Sequence, residues 1–147
     1  KLLRWARLHL PNLQPVRTAW KERPKPMDKV RMSRIVKFHR PDAGKHPFFA
    51  EVQYFFQAEV QEKTEALALV STFSPPDPEL AKKSSGALLV CQYRGVAALE
   101  VILAKSIRTS IAMVPYKDPR NGKFYVSEKM GLDIAFMRAE REERENT

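Results

Sequence analysis

The feature that most constrains this chain is the stretch Phe48 to Pro115, in which short apolar runs alternate with clusters of Pro, Gly, Ser and Asp. Three runs dominate it: Phe48-Phe49-Ala50-Glu51-Val52-Gln53-Tyr54-Phe55-Phe56, Ala66 to Phe73, and Leu88 to Tyr93. They are rich in β-branched and aromatic residues and bounded by turn residues, which predicts five or six short strands in a small barrel or curled sheet. Along the first run the even positions Phe48, Ala50, Val52, Tyr54 and Phe56 are all apolar or aromatic. Because a strand alternates its faces, the even set is the expected core face.

Before this stretch, Lys1 to Leu10 fits a short amphipathic helix, with Leu2, Leu3, Ala6 and Leu10 on one side. Val16 to Glu22 is loosely helical and carries Trp20. Lys21 to Pro26 is a basic, proline-spaced linker that should be extended, since each proline turns its predecessor away from helix. Val30 to His39 can supply a strand, with Met32, Ile35, Val36 and Phe38 inward and Arg31, Arg34 and Lys37 toward solvent. Arg40 to Pro47 is a turn by its Pro, Asp and Gly content.

After the second run, Pro75, Pro76 and Pro78 forbid a central strand. Asp77 is placed to cap a short helix through Lys83, with Pro78 at its first position. Leu88–Tyr93 and Leu99–Leu103 read as strands joined across Arg94-Gly95, and Ile107–Val114 as another. Asn121-Gly122 before Phe124-Tyr125-Val126 signals a hairpin. Asp133 opens a terminal helix whose last residues alternate acids and bases. The fold class is therefore mainly β, a small barrel-like, curled antiparallel sheet with short helices at the N-terminus, in the 75–83 crossover and at the C-terminus. Three parts follow: a basic extension over 1–47 packing on the domain, a β-barrel core over 48–132, and a helix over 133–147.

Charge supplies the strongest hint of function. The formal charge is +9 over 147 residues. Residues 1–47 hold 13 of the 26 Lys and Arg against three acids, a charge of +10, whereas the remainder carries −1. Such asymmetry points to a polyanion partner for the first third, DNA or a nucleosome above all; the alternative is a basic arm that serves only solubility. The residues placed to track a phosphate backbone are Arg17, Lys21, Arg23, Lys25, Lys29, Arg31, Arg34 and Lys37, with Trp20 nearby. Contacts of this kind confer affinity with little sequence preference. No apolar run approaches the ~20 residues of a membrane-spanning helix, so no membrane partner is expected. The chain opens at Lys1 with no basic-then-apolar leader and reads as part of a longer protein or a processed one.

Nothing in the sequence supplies an enzyme. His9, His39 and His46 share no close spacing with Cys, Asp or Glu, and one cysteine, Cys91, rules out the common zinc modules. Cys91 lies in an apolar run and reads as a buried small hydrophobe. There is no phosphate-binding glycine loop and no nucleophile elbow. Glu51 and Glu59 read as solvated strand positions, and Ser71, Ser106 and Ser110 have no cue for a base partner. No catalytic residue, cofactor or metal is expected.

The order of pieces from Phe48 onward resembles a bromo-adjacent homology domain, a β-barrel module of chromatin proteins. Phe48–Phe56 is similar to that family's early strand, and Val70-Ser71-Thr72-Phe73-Ser74-Pro75-Pro76-Asp77 to its strand ending in a Pro-Glu-Asp segment. Cys91-Gln92-Tyr93-Arg94-Gly95 followed by Val101–Ile107 resembles a later stretch. Thr72 stands where that family usually carries Trp. Trp20-Lys21-Glu22, Arg31-Met32-Ser33-Arg34, Glu51 to Phe56 and Met130-Gly131-Leu132-Asp133 resemble the terminal domain of large proteins of mushroom-type fungi linked to mobile genetic elements, over nearly the whole chain. The first resemblance implies a nuclear, chromatin-associated module, and in some members an aromatic cage that reads methylated lysine on a histone tail peptide. Tyr54, Phe55, Phe73 and Tyr93 are the candidate aromatic pocket, with barrel core as their other role. The reading is a non-catalytic DNA- or chromatin-binding module of a larger nuclear protein. Its alternative is a protein-interaction or scaffolding domain that binds a peptide or packs on other domains of its parent chain.

Overall fold

The computed structural model describes residues 3–11, 15–22 and 34–128. Its first strands are β1 (Arg4–Trp5), β2 (Arg7–His9) and β3 (Pro15–Arg17), followed by helix α1 (Ala19–Glu22). Next come β4 (Ile35–His39), β5 (Pro47–Val60), β6 (Lys63–Thr72) and helix α2 (Pro78–Lys83). The rest is β7 (Val90–Gln92), β8 (Leu99–Leu103), β9 (Ile107–Pro115) and β10 (Lys123–Ser127). The protein is mainly β, with a strongly curled antiparallel half-barrel in the order β7-β10-β9-β4-β5-β6-β8; β1 pairs with β5, and β2 and β3 form a separate hairpin. The helix expected over 133–147 lies outside the described residues.

β7 and β8 follow one another in sequence yet lie at opposite ends of this order. Only Tyr93 to Ala98 connects them, so the two ends stand within about 25 Å, the reach of so short a segment. The chain after β6 reinforces the curl. The Ser74 and Asp77 N–H groups donate to the carbonyls of Gln92 and Val90, at 3.0 and 2.9 Å. Asp77 caps α2 by accepting from the N–H groups of Glu79 and Leu80, with Pro78 at the first helical position, as the sequence predicts.

Both faces of the sheet are buried. One carries Val36, Phe38, Ala50, Val52, Phe55, Ala68, Val70, Ile102 and Ile107, covered by Leu10 and Val16 from around the N-terminal hairpin. The other gathers Ile35, Phe49, Phe73, Cys91, Ile111 and Met113 where the sheet curls on itself. Double burial explains why the strands read as near-continuous apolar runs. It also makes β4, from within the basic first third, a central strand between β5 and β9.

Three expectations are corrected. Residues 4–9 form β1 and β2, not a helix. Arg7-Leu8-His9-Leu10 fits a period of two as well as helical spacing, an isolated ten-residue helix is marginal, and β3 and the edge of β5 offer backbone partners. Secondly, the even positions of β5 face one core only as far as Val52. Val52 pairs with Val70 and Tyr54 with Leu69, which leaves Gln53 as a bulge. One extra residue reverses the alternation, so Phe55 enters the core while Tyr54 and Phe56 leave it. Thirdly, Glu51 is 6% exposed and not solvated.

The β5–β6 hairpin turns on Gln61 and Glu62, at φ 50° and 66°. Positive φ at both central residues of a two-residue turn is the territory of Asn-Gly, and it costs other side chains about 1–2 kcal/mol per residue. Replacing Gln61-Glu62 by Asn-Gly is therefore expected to raise the unfolding free energy by about 1 kcal/mol or more, read in urea as a higher midpoint with an unchanged slope.

Candidate functional site

Two concave regions lie beside bulges; a third, of 500 Å³, lies between segment 74–79 and β7. The first is a pocket of 340 Å³ lined by Arg4, Trp20, Gln53, Tyr54, Leu69, Ser71, Tyr93, Gly95, Val96 and Leu99. The Gln53 bulge turns Tyr54 into it. The Tyr93–Ala98 link forms one wall, held where the Ser71 hydroxyl donates to the Gly95 carbonyl at 2.7 Å. The Arg4 guanidinium lies over the Trp20 ring, 4.4 Å from its centroid, and 5.4 Å from that of Tyr54. Cations are drawn to ring faces in this geometry.

Of the four aromatic residues expected to line a pocket, Tyr54 and Tyr93 do so. Phe55 and Phe73 are buried, one in each core. Phe73 packs on Tyr93 at 5.5 Å and edge-on to Phe124 at 6.2 Å. Trp20 joins the pocket from α1, a placement no local sequence signal announces.

Beside the pocket, Glu51 is a buried carboxylate held by several donors. Arg34 Nε donates to its Oε2 at 2.8 Å, while Gln53 Nε2 and Tyr93 Oη donate to its Oε1 at 3.1 and 3.2 Å. A buried charge is tolerated when it is paired and hydrogen-bonded, and Glu51 meets both conditions.

The second concavity is an open groove of 840 Å³ between the turn after β4 and the β8–β9 connection. Phe38, His39, Arg40, Pro41, Gly44 and Lys45 form one side, and Val101 to Leu103, Lys105, Ser106 and Arg108 the other. Phe38 pairs with Ile107 and Lys37 with Thr109, so Arg108 is the extra residue of a second bulge and stands exposed on the rim. Lys45 and Lys105 are exposed too, and Glu65 approaches Lys105 only to 3.8 Å. Arg40 makes a two-pronged ion pair with Glu100, at 2.9 and 2.5 Å, and lies over the Phe48 ring at 4.6 Å. The Thr72 hydroxyl also donates to Glu100.

The nominated phosphate-contacting residues divide by place. Arg34 and Lys37 are engaged by carboxylates, Lys37 with Glu128 at 2.7 Å. Arg17 lies opposite Arg7 across the β2–β3 hairpin. Lys21 is in α1. Arg23, Lys25, Lys29 and Arg31 lie outside the described residues. The basic side chains of the groove were missed by sequence reading, because Lys45 lies more than fifty residues from Lys105 and Arg108.

Among the described residues no cluster of three or more His, Cys, Asp or Glu is arranged to hold a metal ion. Burial pushes the Cys91 thiol up to about 11, in keeping with a core role. No protein-family model, no curated protein and no solved structure matches this chain.

The hydrogen bonds from Arg40 hold the Glu100 carboxyl below its ordinary value of 4.5, with Thr72 adding to the effect and burial opposing it. A depressed folded value means that this stabilisation is present above the unfolded value and is lost as pH falls through the folded one. Denaturation from about pH 7 to about pH 3 is therefore expected to show a smaller acid-side loss of stability in Glu100→Gln than in the parent. Parallel curves for the two proteins would show that the pair does not contribute.

Proposed function

We propose that the chain is a non-catalytic module that holds nucleic acid by its phosphate backbone, as part of a larger nuclear, chromatin-associated protein. The observation that carries this reading is the groove bordered by Lys45, Lys105 and Arg108. Its floor reaches Phe38 and Ile102, which belong to the same buried face that the N-terminal hairpin covers. On that hairpin Leu8 and Val16 turn inward, so Arg7 and Arg17, directly opposite each other, take the other face. A groove edged by cations, on a chain whose first third carries the excess of positive charge, suits contact with phosphates more than reading of base edges.

A second reading is favoured by β8. This strand ends the sheet order, and Val96, Leu99 and Val101 on or beside it are 85%, 43% and 53% exposed. An apolar edge strand is a template for pairing with another chain, which suits a protein-interaction domain. Self-association insensitive to salt would favour it.

Fluorescence anisotropy on the full chain, with a labelled duplex of about 20 base pairs and with its single strand, tests the first reading. The full chain is required, because a cut at residue 48 would remove the central strand β4. Binding is expected to weaken steeply with salt. Lys105→Glu with Arg108→Glu is expected to weaken it at least tenfold at about 0.1 M salt, and to lower the log–log salt slope by about 2, one for each phosphate no longer neutralised. Absence of binding near physiological salt would sink the reading. Unchanged affinity in a folded double variant would remove the groove from it.

A further inference from the structure

The pocket beside Gln53 has a cation in its lining, and that cation, Arg4, is carried by the chain's own first strand. We propose that this pocket is a binding site for an organic cation carried by an extended basic peptide, and that β1 is its built-in, displaceable occupant. It draws on residues distinct from those of the phosphate groove, so either can fail without the other.

The chemistry of the site is declared by what sits in it. Trp20, Tyr54 and Tyr93 give three aromatic side chains to one pocket. The Arg4 guanidinium lies over two of those rings, at 4.4 and 5.4 Å. A flat, weakly hydrated cation is the species such a surface favours.

The format of the ligand is shown as well. β1 docks as an added strand, antiparallel to β5, with Arg4 opposite Phe56 and Trp5 opposite Phe55. β4 pairs with β5 only over Pro47–Glu51. Beyond that, and after the Val52 N–H that donates to the Arg34 carbonyl, the strand paired with this part of β5 opposite β6 is, among the described residues, β1. Strand addition of this kind uses main-chain hydrogen bonds for affinity and side-chain pockets for specificity. Arg4 provides the pocket contact.

The occupant is also weakly held. β1 is two residues long, and Leu3 beside it and Trp5 within it are 64% and 40% exposed. Segments with so few buried apolar contacts lie at the low-stability end of a fold. As a tethered segment, β1 competes at an effective concentration in the millimolar range, enough to mask the site from a weak ligand in trans. Removing the cation while leaving the fold in place should unmask it.

The test uses the isotope-labelled full chain, as parent and as Arg4→Gln. The probes are two capped hexapeptides: Leu-Arg-Trp-Ala-Arg-Leu, the sequence of residues 3–8, and the same peptide with Gln as its second residue. Amide and indole N–H spectra report both fold and binding, and a Trp5→Phe variant assigns the Trp20 indole signal. Arg4→Gln is expected to keep a dispersed spectrum and to bind the arginine peptide at least tenfold more tightly than the parent does, with the Trp20 indole signal shifting. The glutamine peptide is expected to bind either chain at least tenfold more weakly than the arginine peptide binds Arg4→Gln. Equal affinity of parent and variant, or of the two peptides, would overturn the proposal. Collapse of the Arg4→Gln spectrum would overturn it equally, because an occupant on which the fold depends is not exchangeable.

Discussion

The structure depends on burial of both faces of one strand, β5. Its first half sits between β4 and β6 while its second half carries β1, and its side chains feed two separate cores. A strand buried on both sides cannot slide by one residue, because a slip would exchange every side chain between the cores. That is why a single extra residue, Gln53, matters so much here. It redirects Phe55 into one core and releases Tyr54 into a pocket. The opposite register would bury a tyrosine hydroxyl and expose a phenylalanine. Core and pocket are thus two consequences of the same bulge.

Charge is used inside this frame as bracing as well as display. Arg34 meets a buried glutamate, Arg40 clasps Glu100 while resting on Phe48, and Lys37 reaches Glu128. All three belong to the first third of the chain, whose excess of positive charge first suggested a polyanion partner. Each bridges to a residue outside that third, so part of the excess fastens β4 and its flanks to the rest of the sheet. A count of charges along a sequence cannot separate these uses, since a brace is defined by a carboxylate seventeen to ninety-one residues away.

Much of the fold was legible where the signal is local. Leu99–Leu103 was read to the residue, and the Asp77-Pro78 cap and the turn at Asn121-Gly122 follow from side chains that act on their own neighbours. The bulges were not legible, because an extra residue exists only relative to the partner strand. Nor was the burial of Glu51, which requires Arg34 and Tyr93 to converge on it. The aromatic pocket was half legible. Tyr54 and Tyr93 carry hydroxyls and tolerate a wet boundary, whereas Phe55 and Phe73 have no polar atom and were drawn to the cores. Arg4 comes from a segment whose apolar spacing fits helix and strand alike, and only the edge of β5 decides between them, whereas Trp20 lies in a short helix within the stretch that reads as loosely helical.

The two bulges also explain where the aromatic pocket and the basic groove lie. A regular doubly covered sheet presents only its rims, since its side chains are committed to one core or the other. An extra residue breaks that commitment for one or two positions, and those positions become available for other roles. At Gln53 the released neighbour is an aromatic ring beside a resident arginine; at Arg108 it is a cation on the rim of a groove. The bulges interrupt different strand pairs, β5–β6 and β4–β9, so a change at one leaves the register of the other intact. Separate registers leave room for the two proposed ligands to be held independently, phosphate at one site and an organic cation at the other.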